Sequence, residues 1–165
     1  MDNLNNEIIK NFGNKIRVRV CGLLVQENQL LLVKHHALGK LGYLWAPPGG
    51  GLNFGETVEA SLKREFAEET GLTIEPGEFL FINEYLEPPL HAIELFFKVR
   101  AIAGRLITGT DPELGQSQII KEVKFMNANE LKAEPVDALH RILTLTSSPQ
   151  ELLNLRGYYS YIPNL

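Results

Sequence analysis

Cysteine is almost absent from this 165-residue chain, which carries a single one, Cys21. One thiol cannot build an internal disulfide framework. The fold must therefore rest on its apolar core, and the compartment expected is a reducing cytoplasm. Long apolar runs are also missing. None approaches the roughly 18 residues that a membrane-spanning helix needs, so no membrane partner is expected. Met1 to Lys10 is polar and rich in asparagine, which predicts no secretory leader. A basic excess is lacking too: 16 Lys and Arg stand against 20 Asp and Glu, a net charge of −4. A dedicated nucleic-acid surface would be basic, so no nucleic-acid partner is expected. An anionic small molecule stays compatible, because a bound cation can meet its charge. There is no internal repeat, low-complexity segment or long linker. Apolar residues at 44% and charged residues at 22% are ordinary for a globular protein. Residues 1–165 are expected to form one domain, with a core from about 16 to 143.

What the chain does have is one dense stretch, Gly49 to Leu72, GGGLNFGETVEASLKREFAEETGL. A glycine-rich loop runs from Pro47-Pro48 into a helical segment. Thr57 suits its N-cap, and Gly71 suits a left-handed residue after its end. At about 100° per residue, Val58, Leu62 and Phe66 form one apolar stripe. Glu65 and Glu69 fall inside that stripe and Glu68 at its edge. Glu65 and Glu69 are also a like-charge i, i+4 pair, which costs an isolated helix roughly 0.2–0.5 kcal/mol. Burying such charges unpaired costs far more. A hard divalent cation resolves the conflict, since Mg²⁺ and Mn²⁺ prefer carboxylate oxygens. The competing reading is a solvated acidic face.

From Gly50 the stretch reads Gly, five residues, Glu56, seven residues, then Arg64-Glu65-Phe66-Ala67-Glu68-Glu69-Thr70-Gly71-Leu72. It resembles the Nudix box, G-x5-E-x7-R-E-U-x-E-E-x-G-U with U a bulky apolar residue, and every fixed position matches. Trp45-Ala46-Pro47-Pro48-Gly49-Gly50 is similar to the run that precedes the box in that family. The resemblance implies an α+β Nudix fold, an α/β/α sandwich around a mixed β-sheet. It implies hydrolysis of a nucleoside diphosphate linked to another moiety, with Mg²⁺ as cofactor and Mn²⁺ as its substitute. Glu65, Glu68 and Glu69 would be metal ligands, any of them able to double as base, with the Gly49 carbonyl a further ligand. Arg64 would pair with Glu56 to support the fold. Gly50 and Gly51 would let the main chain approach substrate. Many family members use a further acid late in the chain. Glu113, in the polar loop Thr108 to Gln118, is the first candidate, with Glu94 and Glu122, on strands, as rivals; for each of the three the competing reading is an ordinary surface acid. ADP-ribose hydrolases of the family tend to carry a proline where Pro88 stands, so Pro88 is a candidate substrate contact.

The rest of the chain reads as punctuated strands. Ile16 to Val25 alternates and turns at Glu27-Asn28 into Leu30 to His35, a hairpin. Leu44 to Ala46, Thr73 to Glu75, Glu78 to Leu86, His91 to Ala101 and Ile119 to Met126 are further strands. Within His91 to Ala101, the face carrying Ile93, Leu95, Phe97 and Val99 is the apolar one, and Glu94 lies opposite. A short helix is expected around Asn6 to Asn11. Another starts at Asn127, with Glu130 completing a capping box, and Val136 to Thr144 has helical spacing. Cys21 and Trp45 read as core residues. His35 and His36 are adjacent on a strand and must face opposite ways, and all four histidines read as surface or core. The tyrosines of Gly157 to Tyr161 cover the core, meet a partner chain or line a base pocket.

Three functions compete. The first is a hydrolase of ADP-ribose or a similar nucleotide sugar, with nucleoside triphosphates as alternative substrates. The second is a non-catalytic nucleotide-sensing module, and the third an isomerase of prenyl diphosphates. The intact box favours the first. The chain lacks the extended N-terminal region of many dimeric ADP-ribose hydrolases, and a homodimer stays open.

Overall fold

The computed structural model describes residues 2–112 and 118–161. The strands run β1 (Ile16–Leu23), β2 (Val25–Gln26), β3 (Gln29–His36), β4 (Tyr43–Ala46), β5 (Gly49–Gly51), β6 (Leu72–Glu87), β7 (Leu90–Gly104), β8 (Ile120–Met126) and β9 (Gly157–Tyr161). The helices are α1 (Asp2–Phe12), α2 (Val58–Thr70), α3 (Ala128–Ala133) and α4 (Pro149–Leu152). One sheet has the order β5-β1-β7-β6-β9 and is mixed: β1 runs parallel to β7, and β6 parallel to β9. In the other, β3 pairs with β2, β4 and β8.

Helices cover both sides of these strands. On one side α2 buries Leu62 and Phe66 against Val20, Leu31, Ile74 and Val99. On the other, Leu131 of α3 and Leu152 of α4 pack with Trp45, Phe81, Phe96 and Met126. With apolar layers on both faces, the inner strands lose the clean in-out alternation of a half-solvated sheet. The architecture is thus the α+β sandwich expected, with its strands divided between two sheets.

Four local expectations change. The hairpin at Glu27-Asn28 joins only β2 to β3; the long strand β1 pairs instead with β5 and β7. Pro76-Gly77 is an irregularity inside one continuous strand, β6, because β7 keeps pairing on either side of it. Val136 to Thr144 forms two short 3-10 turns, Val136–Ala138 and Arg141–Thr144, rather than a helix. In β7, the face carrying Ala92, Glu94 and Phe96 is the more buried one. The capping box at Asn127 and Glu130 is present. Tyr159 of β9 packs edge-on to Phe81 and so covers the core. Among the described residues, no helix is long and apolar enough to cross a membrane.

Candidate metal and phosphate site

Helix α2 begins and ends where its sequence places its caps. Thr57 accepts a bond from the Ala60 N–H at 3.1 Å, and Gly71 ends the helix at φ 72°. Between them Glu65 and Glu69 are buried along with Leu62 and Phe66, at 7% and 4% exposure. These two acids face the glycine strand β5. The Gly49 N–H donates to Glu69 Oε2 at 2.9 Å. Gly50 lies so close to Glu65 that a Cβ there would stand 2.4 Å from its carboxyl group. Glu69 Oε1 is 3.6 Å from His35 Nε2. Burial first, and the charge of Glu69 second, push Glu65 up to about 7 against the pull of Arg64.

Arg64 holds the outer side of the helix together. Its Nε and Nη2 donate to both oxygens of Glu56 at 2.8 and 3.0 Å, a bidentate pair. Its Nη2 also reaches the Gly51 carbonyl at 3.2 Å. Nη1 donates to Glu65 Oε1 at 2.8 Å and to Glu68 Oε2 at 3.1 Å. These bonds from Arg64 hold the Glu56 carboxyl near 2.

A cavity of about 120 Å³ opens beside β5. Gly49, Gly50, Gly51, Glu65 and Glu69 line it, together with Arg17, Arg19 and Asp111. Glu68 and Pro88 are not in that lining. Glu68 is turned to Arg64, and Pro88 is exposed at the tip of the β6–β7 hairpin. Glu113 lies outside the described residues; Asp111, in the same loop, lines the cavity instead. Glu122 is a surface acid near Lys124.

Two buried carboxylates, one of them pushed towards neutrality, and the main-chain oxygen of Gly49 are hard oxygen donors of the kind Mg²⁺ and Mn²⁺ take. The residues fit a divalent cation. Among the described residues no three acidic, His or Cys side chains already converge as a cation cage. A cation here would therefore draw on the Gly49 carbonyl and on the carboxylates that Arg64 now holds.

A second network meets the cavity lining at Arg19, Glu94 and His140, and no local pattern in the sequence marks it. Glu94 is 4% exposed, so its reading as a surface acid is corrected. Its Oε2 accepts from Asn83 Nδ2 at 2.9 Å and lies 2.9 Å from His140 Nε2. Its Oε1 is 3.7 Å from Arg19 Nε. Burial works to raise the Glu94 pKa, but His140, Arg19 and Asn83 outweigh it and hold the group near 2. Arg19 Nη2 in turn donates to the Gly49 carbonyl at 3.1 Å, which links this network to the glycine strand. The histidine reading changes as well. His36 is exposed, whereas His35, His91 and His140 all line the cavity. The opposed facing of His35 and His36 was the signal available. The pairing of Arg19 with Glu94 had none, since the two meet only through the parallel register of β1 and β7. Cys21 is buried at 3% exposure, and burial pushes its thiol well up, so it is no ready nucleophile.

A family model described as the NUDIX domain matches residues 14–145. The chain is 34% identical over 116 residues to an ADP-ribose pyrophosphatase of Methanocaldococcus jannaschii, covering 69% of this chain and 63% of that protein. It is 33% identical over 88 residues to the phosphatase NudJ of Escherichia coli, covering 49% of this chain and 56% of that one. The chain thus spans less than two thirds of the length of these relatives. Among solved structures, a NUDIX hydrolase from Nitrosomonas europaea is similar with a TM-score of 0.64 at 20% identity, covering 79% of this chain and 84% of that one. An ADP-ribose pyrophosphatase from Streptococcus suis is similar with a TM-score of 0.58 at 17% identity, covering 87% and 98%. At such identities the structural likeness speaks for the fold.

Proposed function

We propose, for a chain that belongs to the Nudix family, the hydrolysis of the pyrophosphate bond in a nucleoside diphosphate linked to another moiety, with ADP-ribose or a similar nucleotide sugar as the favoured substrate. The observation that carries this reading is one cavity lined by Glu65, Glu69 and the Gly49–Gly51 main chain on the one hand and by Arg17 and Arg19 on the other. The name of the Methanocaldococcus jannaschii relative supports the substrate class.

Glu65, Glu69 and the Gly49 carbonyl would hold Mg²⁺ or Mn²⁺, with Glu68 joining them once it leaves Arg64. When bound, the cation supplies charge neutralisation at the phosphates and a lowered pKa for water. The protein's own residues do the rest. Arg17 and Arg19 offer fixed positive charge to the anionic diphosphate. Gly50 and Gly51, with no side chain in the way, let phosphate oxygens lie against the main chain. Arg64 and Glu56 tie the glycine strand to α2, so that the carboxylates and the phosphate cradle keep one geometry. Any of Glu65, Glu68 and Glu69 could double as the base that takes the proton of the attacking water.

The test is a product assay. ADP-ribose with Mg²⁺ should yield AMP and ribose 5-phosphate, and chelation should stop the reaction. A folded protein that cleaves neither ADP-ribose nor any other nucleotide in a broad panel, with either cation, would overturn the reading.

A further inference from the structure

We infer that α1 is the wall of a nucleobase subsite, and that Phe12 is the residue that contacts the base. The inference rests on the hydrolase reading for the orientation of substrate, whose diphosphate would lie at the Gly49–Gly51 end of the cavity.

Helix α1 has little reason to form alone. α1 is 11 residues long, and isolated helices below ~12–15 residues are marginal in water. Something must hold it, and the contacts are specific. Gly13 closes the helix, its N–H donating to the Ile9 carbonyl at 2.8 Å, and forms an isolated bridge with Leu90. The Asn14 N–H donates to the Pro89 carbonyl at 2.8 Å. The guanidinium of Arg17, on β1, lies 4.2 Å from the centre of the Phe12 ring. The helix is thus fastened at its C-terminal end to the tip of the β6–β7 hairpin and to β1. The part of the hairpin prolines in the site is indirect: the Pro89 carbonyl fastens the chain just after α1, and Pro88 is not in the cavity lining.

What the helix buries is equally specific. Ile8 and Phe12 are one turn apart and share a face. Ile8 is only 6% exposed, yet it belongs to neither of the two apolar clusters that form the core. Ile8 and Phe12 line the cavity instead, with Leu38, Leu44, Leu90 and Ile119 completing an apolar wall. Among the described side chains of α1, Ile8 and Phe12 are the ones that line the cavity, so this face of the helix is shaped for what the cavity takes. The lining therefore has two characters, charged and glycine-rich where it meets α2, apolar and aromatic where it meets α1. A nucleotide has the same two characters, an anionic diphosphate and a flat heterocycle. An aromatic ring whose position is fixed by a cation at its face offers such a heterocycle a stacking or edge contact.

The experiment compares two products of the proposed reaction as probes. Binding of AMP and of ribose 5-phosphate is measured by calorimetry on the full chain with Mg²⁺, for the wild type and for Phe12→Ala, Phe12→Leu and Phe12→Tyr. The wild type should bind AMP at least about tenfold more tightly than ribose 5-phosphate, which lacks a base. Phe12→Ala should remove most of that advantage and leave ribose 5-phosphate within about twofold. Phe12→Tyr should restore the advantage, and Phe12→Leu, similar in bulk without a ring, should not. A wild type with no preference for AMP, or a Phe12→Ala variant that weakens both probes alike, overturns the inference. Neither readout needs turnover, so a protein that binds AMP through Phe12 but cleaves nothing would defeat the hydrolase reading and leave the subsite standing.

Discussion

The main chain at Gly109 passes so close to α2 that a Cβ there would stand 1.9 Å from the carbonyl oxygen of Glu68. The approach is made of hydrogen bonds. The Ile107 N–H donates to Thr70, the Gly109 N–H to Glu69 and the Thr110 N–H to Glu68, at 3.0, 2.9 and 3.0 Å. These are carbonyls of the last turn of α2, which the helix itself leaves without partners. The segment that follows β7 is therefore strapped to the very turn that carries two of the box glutamates, and it delivers Asp111 to the cavity.

Gly109→Ala should consequently be costly at an exposed-looking loop. The added methyl group meets backbone, which cannot swing aside, so the strap must lift. A loss of about 1–3 kcal/mol in urea unfolding is expected, the range of an overpacked core site. Stability within experimental error of the wild type would mean that the strap is not held as described.

Arg64 and Glu56 should couple strongly. Their contact is bidentate, and both groups also bind the strand-to-helix connection, through Gly51 and Asn53. A double-mutant cycle of Arg64→Ala and Glu56→Ala should give an interaction energy of about 0.5–3 kcal/mol in unfolding. Strict additivity would show that the two do not depend on one another.

Much of this was legible in the sequence, for a physical reason. The caps, the apolar stripe and the misplaced acids of α2 are local features with a 3.6-residue period, so Thr57, Gly71, Glu65 and Glu69 can be read from spacing alone. The Asn127 cap is local in the same way. What escaped reading depends on distant pairing. Glu94 looks like the polar face of β7 until β1 and β6 bring Arg19 and Asn83 beside it in register. His140 reaches Glu94 from a 3-10 turn whose spacing imitates a helix. The short helix carrying Ile8 was expected, but that Ile8 and Phe12 line a cavity follows from the docking of its C-terminal end on the β6–β7 hairpin. The cavity is lined by residues from Ile8 to His140, and no window of sequence contains it.

Acid should weaken the Glu94 network in a definable window. Glu94 falls from an ordinary 4.5 to about 2 in the folded protein, because His140, Arg19 and Asn83 outweigh burial. A depressed carboxylate binds protons more readily in the unfolded chain. Its stabilising contribution is then complete above about 4.5 and is lost as the pH falls through about 2. Glu94→Gln should flatten that part of the curve of unfolding free energy against pH relative to the wild type. Parallel curves for the two proteins between those limits would remove Glu94 from the network.

Divalent cations should raise the melting temperature. Glu65 and Glu69 are buried together, and a cation that binds only the folded site shifts unfolding by mass action. Mg²⁺ and Mn²⁺ should each stabilise in proportion to the logarithm of their concentration once it exceeds the dissociation constant, and Glu69→Gln should blunt the effect. If melting is indifferent to both cations at millimolar concentration and calorimetry detects no binding, the acids of α2 do not form a cation site.

Glu69→Gln also separates an enzyme from a binding module. The substitution keeps the side chain's shape, and its amide oxygen can still accept from the Gly49 N–H that Glu69 Oε2 now engages. The cradle should therefore stay folded, and the relief of a buried like-charge neighbour should compensate for any lost contact in metal-free buffer. The negative charge is what disappears. In the hydrolase reading that charge helps to hold the cation whose field stabilises the transferring phosphoryl group, so its loss acts on the transition state. kcat should fall by about 10²-fold or more, about 2.7 kcal/mol in the barrier. Affinity for AMP should change far less, because the apolar wall formed by Ile8 and Phe12 is untouched. Turnover equal to the wild type at saturating Mg²⁺ would reduce Glu69 to a structural partner of Gly49. Loss of AMP binding in step with turnover would mean instead that the two ends of the cavity cannot be uncoupled, and that α2 supports the base wall as well as the phosphate cradle.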